Sequence, residues 1–193
     1  MFTEDYLLRM INLAIAALMN AIGLRKAGKG AEARQAIEQA IQQLTALSPS
    51  LIDQMDDASI LAMLTNNGQL DLGRLAVLGD LYEEQGNISS RLEQPAQASF
   101  AYGRALRLTL EVALAEDGSP APENMVRVGA LLQKLKLNEL PVDTQLALSD
   151  YYRRLLDVDD QTLAAGSFTR KQIEQALDQL QELIDHPANT IGD

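Results

Sequence analysis

Residues 37–44, with the sequence IEQAIQQL, return almost unchanged as IEQALDQL at residues 173–180. In both copies apolar residues occupy the first, fourth, fifth and eighth positions, a spacing that places them on one face of an α-helix. Leu, Ala, Gln and Glu dominate both copies, and all four are good helix formers. The two copies therefore predict amphipathic helices over about residues 31–47 and 169–185, so that helix packing decides the fold.

The composition of the whole chain also favours helix. Of its 193 residues, 47% are hydrophobic and only 4% are aromatic, and Trp is absent. Strands favour β-branched and aromatic residues, and no stretch of this chain alternates apolar and polar residues for long. We therefore predict an all-α fold of antiparallel helical hairpins in one domain, residues 1–186, with 117–122 as the candidate subdomain boundary and 187–193 as a flexible tail.

Start and stop signals divide the chain into further helices. Gly86 is expected to end a helix that begins near residue 70, because glycine readily adopts the left-handed conformation that follows a helix. Residues 87–94 would then form a polar insertion before a helix over about 95–115. Thr169 and Gln172 are expected to form a capping box at the start of the last helix. Further helices are predicted over about residues 3–25, 51–66, 123–136 and 143–156.

The first predicted helix is apolar on nearly every side between residues 11 and 22. Such a helix is covered either by other helices or by a second subunit. We predict a buried core helix, with a homodimer seam along part of it as the alternative. Glu4 and Asp5 stand where a signal peptide carries basic residues, and Arg9 and Asn12 interrupt the apolar run. These residues favour a cytoplasmic protein that does not bind a membrane.

The net charge of −11 restricts the partners that the protein could bind. Nucleic acid would be repelled, because binding to phosphates needs a basic surface. Anionic membranes are unfavourable for the same reason. A basic protein or peptide is the partner that this charge favours. The chain also contains no cysteine, which excludes disulfides, thiolate catalysis and zinc sites built on thiolates.

Residues that could carry catalysis are sparse. The one histidine, His186, stands beside a proline near the end of the sequence, and no phosphate-binding loop or nucleophile motif is present. Residues 157–160, DVDD, begin like a calcium-binding loop, but Thr162 and Phe168 stand where that loop needs glycine and a bidentate glutamate. We predict a non-catalytic protein with no metal and no cofactor. A carboxylate enzyme or a small-ligand sensor is the weakest alternative.

The helices predicted near residues 70–85 and 95–115 share a spaced motif. Its residues follow L-x2-L-G-x2-Y and then A-x3-Y-x2-A: Leu75, Leu78, Gly79, Tyr82, Ala98, Tyr102 and Ala105. The motif resembles the tetratricopeptide repeat, which has W-x2-L-G-x2-Y in its first helix and A-x3-F in its second. Leu75 replaces the Trp, and the two halves lie about seven residues further apart than in the repeat. The resemblance implies stacked helical hairpins, tetratricopeptide-like in the middle and irregular at the ends.

The same resemblance gives a role to three acids. Asp80, Glu83 and Glu84 match positions of the first repeat helix that line the concave groove, which implies contact with a basic or amide-rich peptide. The alternatives are a solvated helix face, or ion pairs with the arginines of Arg104–Arg107 and Arg153–Arg154. We predict a protein- or peptide-binding scaffold, with a structural homo-oligomer formed through apolar helices as the alternative function.

The amino terminus carries a second resemblance. Residues 2–11, FTEDYLLRMI, and residues 81–86, LYEEQG, are similar to segments of a family of small helical bacterial proteins with no assigned function. The similarity could extend over most of the chain. It implies a helical fold and no particular activity.

Overall fold

Ten α-helices make up almost all of the regular structure in residues 2–66, 68–115 and 120–186, which are the residues that the computed structural model describes. A two-stranded antiparallel ribbon is the only sheet in this part of the chain. The predicted all-α class is therefore confirmed. The chain divides into two compact units, Met1–Leu108 and Thr109–Asp193.

Unit 1 contains five complete helices, the ribbon and most of a sixth helix. Its elements in chain order are α1 (Phe2–Lys26), α2 (Gly30–Thr45), α3 (Pro49–Gln54), α4 (Asp57–Met63), β1 (Thr65–Asn66), β2 (Gln69–Leu70), α5 (Leu72–Arg91) and α6 (Pro95–Ala115). The boundary between the units falls inside α6 and not at the candidate boundary 117–122, of which residues 117–119 lie outside the described residues. The predicted tail, 187–193, also lies outside them.

Carboxylate caps start two helices of unit 1. Asp56 accepts a hydrogen bond from the Ser59 backbone N–H (2.7 Å) at the start of α4. Asp71 accepts one from the Arg74 backbone N–H (3.0 Å) at the start of α5. Each carboxylate satisfies a backbone donor that the helix itself leaves free. The cap helps to hold α4, which is only seven residues long.

The core of unit 1 is built where α1, α2 and α5 pack on one another. The stripe predicted on α2 is confirmed, because Ile37, Ile41 and Leu44 are all buried. Leu75 and Leu78 of α5 are fully buried as well. The apolar spacing of residues 37–44 therefore reports the side of α2 that faces its neighbours.

The prediction that Gly86 ends a helix is wrong. Helix α5 continues through Gly86 to Arg91, so residues 87–94 are the last turns of α5 and a three-residue connection, and not an insertion. A Cβ atom at Gly86 would lie 2.5 Å from two ring carbons of Tyr102. The glycine is therefore needed because it lets the aromatic ring of α6 lie directly against the backbone of α5.

A small antiparallel ribbon lies between α4 and α5. Thr65 pairs with Leu70 and Asn66 pairs with Gln69, and Gly68 has a φ of +78°, which only glycine adopts without strain. Each strand has two residues. Strands this short have no detectable alternation of apolar and polar residues, so they cannot be recognised from the sequence.

Unit 2 consists of the end of α6 and four further helices. They are α7 (Pro122–Leu132), α8 (Val142–Leu156), α9 (Asp160–Ala165) and α10 (Arg170–Asp185), with a short 3₁₀ turn at Leu137–Glu139. Helix α8 packs along α10. Tyr152 of α8 meets Phe168 edge to face, with 6.1 Å between ring centroids. This aromatic pair anchors the start of α10 to α8.

Two cap motifs fix helix starts in unit 2. The capping box predicted at the start of α10 is confirmed, with Thr169 and Gln172 bonded to each other's backbone N–H groups. Asp159 caps α9 by accepting hydrogen bonds from the backbone N–H groups of Gln161 and Thr162, both at 3.0 Å. Hydrogen bonds from Thr162 hold the pKa of Asp159 below its usual value. The stretch that resembles a calcium loop is thus the junction between two helices.

Candidate docking surface

Glu84, one of the three acids predicted to contact a partner, forms an ion pair within unit 1. Its side chain is only 4% exposed and forms an ion pair with Arg25 of α1. The guanidinium donates from Nε and from Nη2, the latter at 3.1 Å, and the Asn87 side chain donates a further bond at 3.0 Å. Glu84 therefore ties α5 to α1, and its carboxylate is not on the surface.

Asp80 and Glu83 lie on the same side of α5 and are half-buried. Both take part in polar or electrostatic interactions of their own. Together with the burial of Glu84, this means that the three acids do not form one open acidic face. Their contact with a basic partner stays a prediction.

The seven positions of the spaced motif all lie in the packed interior. Tyr82 and Tyr102 are 0% and 7% exposed, and the other five are buried as well. Tyr102 donates a hydrogen bond from its hydroxyl to Asn87 Oδ1 (3.0 Å), and burial raises its pKa. These contacts join α5 to α6 as one helical hairpin. A single hairpin is not a repeat array, so the tetratricopeptide likeness stays a prediction.

Arg104 has structural partners of its own. It donates to the backbone carbonyls of Ile52 (2.7 Å) and Met55 (2.6 Å), and its Nε lies 3.3 Å from a carboxylate oxygen of Asp57. Its guanidinium also lies 4.9 Å from the centroid of the Phe100 ring. Arg104 thus fastens α6 to the segment that holds α3 and α4.

The outer face of α1 differs from the sequence-based prediction. The prediction of a buried core helix is wrong, because only one side of α1 is covered, by α2 and α5. Eleven large hydrophobic side chains of the described residues are exposed, and five of them are on α1. Their exposed fractions form the following set: Tyr6 62%, Leu8 59%, Leu13 54%, Ile15 41% and Met19 63%. We call these five residues the α1 outer face.

Length and composition alone would also let α1 cross a membrane. The stretch Asp5–Lys26, 22 residues long, meets that test, and it lies near the amino terminus. One such helix is weak evidence, since core helices and signal sequences pass the same test. Here the inner side of the helix is packed against α2 and α5, and Arg25 is paired with Glu84.

Comparison with known proteins identifies the family of this chain. Residues 1–185 match a family of unknown function, DUF6483. The chain belongs to this family. It matches no curated protein and no solved structure. Membership in DUF6483 agrees with the similarity seen at the amino terminus and brings no activity with it, so the function has to be argued from the surface.

Clefts in each unit offer alternatives to the α1 outer face in this DUF6483 protein. The one in unit 1 has a volume of about 410 Å³, and its polar lining includes Arg34, Glu38 and Asp53. Arg34 bonds to Gln94, and Asp53 accepts a hydrogen bond from the Tyr82 hydroxyl (3.0 Å). Two of its three charged groups are thus already engaged.

One of the clefts in unit 2, of about 470 Å³, is mostly apolar and is lined by Tyr152, Phe168 and parts of α7. Burial raises the pKa of Tyr152 to about 12, so this hydroxyl stays neutral and cannot act as a base near pH 7. Among the described residues, no group of three or more His, Cys, Asp or Glu is placed to hold a metal ion. The α1 outer face therefore remains the strongest candidate.

A signal for this face is present in the sequence. Asp5 and Asn12 are seven residues apart, and Asn12 and Lys26 are fourteen, so all three lie on the same side of the helix. Polar side chains that repeat on one side of a helix indicate that this side is not fully buried. The almost complete apolar character of residues 11–22 hid this pattern.

Proposed function

We propose that this protein is a non-catalytic helical scaffold that binds protein through the α1 outer face. The observation that carries the proposal is the concentration of five exposed, large apolar side chains on one helix. Monomeric soluble proteins rarely expose large contiguous apolar patches, and such patches mark interaction surfaces. On α1, Leu8, Ile15 and Met19 share one stripe, because they are spaced by seven and four residues, and Tyr6 and Leu13, seven residues apart, lie on a second.

The surface is held in place by its own unit, which favours binding. Arg25 is paired with Glu84, and Arg91 donates a hydrogen bond to the Arg25 carbonyl (3.3 Å). Closer to the middle of the helix, Ile11 lies against Gly73, where a Cβ would meet its side chain at 3.3 Å. A helix held by its own unit in this way loses little further conformational freedom when a partner binds.

The polar interior supports a scaffold role over catalysis. Arg74 donates to the Leu44 carbonyl (2.8 Å), Arg104 donates to the Ile52 carbonyl, and Glu84 is paired with Arg25. Each of these charged side chains joins two elements of unit 1. All three side chains therefore stabilise the packing of the helices.

A photo-crosslinking experiment tests the proposal. A benzophenone side chain is placed at Met19 on the α1 outer face, and in a matched control at Gln175, an exposed residue of α10. Both proteins are irradiated in pure form and in host lysate. We expect protein adducts at Met19 and few at Gln175. Equal labelling at the two sites, no adducts, or adducts with lipid alone would overturn the proposal.

A further inference from the structure

We infer that the partner of the α1 outer face is a second copy of this chain, bound antiparallel through α1. This inference rests on the proposed function and names its partner. Seven positions of α1 are spaced alternately by three and four residues, as in the seam of a coiled coil: Asp5, Leu8, Asn12, Ile15, Met19, Ile22 and Lys26. We call these seven residues the α1 seam.

The α1 seam faces away from its own unit. Six of its residues are exposed, and Ile22 is half-buried. Leu8, Ile15 and Ile22 occupy one of the two alternating positions, and Met19 lies in the other. Aliphatic residues at such positions pack as knobs into holes on a partner helix. The stripe is therefore shaped for a helix.

Charge at the ends of the α1 seam decides the orientation. Asp5 and Lys26 are 21 positions apart, which is about 32 Å along the helix. In a parallel pair each would meet its own copy, and like charges would repel. In an antiparallel pair Asp5 of one copy lies close to Lys26 of the other at both ends, and the charges attract.

Asn12 sets the register. When the two-fold axis passes between residues 13 and 14, Asp5 lies opposite Ile22 of the other copy, and the two Asn12 residues are offset by about 5 Å along the axis. Their side-chain amides can then hydrogen-bond to each other. A polar residue at a seam position fixes the register of a coiled coil in this way.

The large negative charge of the protein does not oppose this contact. Helix α1 carries three basic residues, Arg9, Arg25 and Lys26, against two acids, Glu4 and Asp5, whereas the whole chain has a net charge of −11. The acidic surplus is thus carried outside α1. Two copies that meet through α1 therefore do not bring acidic helices together.

Disulfide trapping tests both the partner and its orientation. The chain has no cysteine, so any disulfide that forms must join the introduced cysteines. The double variant Asp5→Cys/Ile22→Cys is oxidised beside each single variant and beside the control Arg9→Cys/Asn20→Cys, two exposed α1 residues outside the α1 seam. Masses are measured by light scattering, and helicity by circular dichroism shows that each variant folds.

We expect wild-type protein at twice the chain mass of 21.1 kDa, and covalent dimers from the double variant alone. An Asn12→Glu variant should weaken the dimer at least tenfold, because two carboxylates would meet at the axis. Disulfides from Asp5→Cys alone would overturn the antiparallel orientation. Monomeric wild type without disulfides would overturn the second copy as partner. In that case, crosslinks from Met19 to another protein would still support the proposed scaffold function. The absence of such crosslinks would contradict both the scaffold function and the pairing of two copies.

Discussion

Helices α1 and α5 lie side by side in unit 1, but they differ in which side chains they bury and which they expose. Helix α5 buries charged residues, with Arg74 at 9% and Glu84 at 4% exposure. Helix α1 exposes apolar ones, with Leu8 at 59% and Met19 at 63%. From residue type alone, the apolar side chains of α1 would be expected in the interior and the charged side chains of α5 on the surface.

The difference shows that burial depends on how many neighbours a helix has. Helix α5 packs against α1 and α2 and contacts α6 through Gly86 and Tyr102. Helix α1 packs against α2 and α5, which cover one side only. A buried charge is tolerated because a partner meets it, and an exposed apolar side chain costs free energy until a partner covers it.

Truncation of one leucine in each helix gives the largest expected contrast. Leu78→Ala in α5 removes a fully buried side chain and should lower the free energy of unfolding by about 2–5 kcal/mol. Leu13→Ala in α1 removes a side chain that is 54% exposed and should change it by less than about 0.5 kcal/mol. Urea denaturation measures both. Similar losses in the two variants would show that Leu13, which lies outside the α1 seam, is covered in solution.

Breaking the ion pair between the helices should come next in size. Glu84→Gln leaves the Arg25 guanidinium without its carboxylate and should cost about 3 kcal/mol. The matched variant Glu32→Gln breaks an exposed pair with Lys29, 3.2 Å apart, and should cost less than about 0.5 kcal/mol. Thermal and urea unfolding of Glu84→Gln, of Arg25→Met and of the double variant Glu84→Gln/Arg25→Met measure the coupling. If the loss in the double variant equals the sum of the losses in the two single variants, the two residues are not coupled.

Glycine substitutions should change stability in opposite directions. Gly86→Ala places a methyl group against the Tyr102 ring and should lower the free energy of unfolding by about 1–2 kcal/mol. At Gly23 of α1 no atom lies within 4 Å of the new Cβ, so Gly23→Ala should raise it by about 0.5–1 kcal/mol through helix propensity. The melting temperatures of both variants, measured in parallel, give the two signs. A stabilised Gly86→Ala would refute the close approach of α6.

The smallest expected effect appears in alkali. Burial raises the pKa of Tyr82 in α5 above its ordinary value of 10.0. The folded state therefore favours the neutral phenol, and stability is retained below pH 10 and lost above it as the unfolded chain ionises. From pH 10 to 11 this loss is about 1 kcal/mol for one tyrosine. Tyr82→Phe should remove it, whereas Tyr6→Phe on the exposed side of α1 should not. Equal pH profiles for the two variants would contradict the assignment.

The sequence predicted the features that residues close together in the chain determine. The stripe of Ile37, Ile41 and Leu44 spans two turns of one helix, and the Thr169–Gln172 box spans one. Helix propensity and capping act within about four residues, so both can be recognised without knowledge of the fold.

Features set by distant residues could not be predicted in this way. Gly86 has the same local signature whether it ends a helix or admits a ring, and Tyr102, which decides between the two, lies on another helix. No residue near Glu84 in the sequence indicates that it is buried, because Arg25, its partner, is 59 positions earlier in the chain. The exposure of the α1 outer face likewise depends on which helices pack against α1.

The separation between Arg25 and Glu84 has a consequence for synthesis on the ribosome. These two residues are 59 positions apart, and translation at about 5–20 residues per second takes about 3–12 seconds to cover that distance. Helix α2 emerges soon after α1 and can shield part of it, but the contacts with α5 have to wait. The nascent chain therefore carries its most apolar helix half-covered for several seconds, and during this interval a chaperone or a neighbouring nascent copy has access to it.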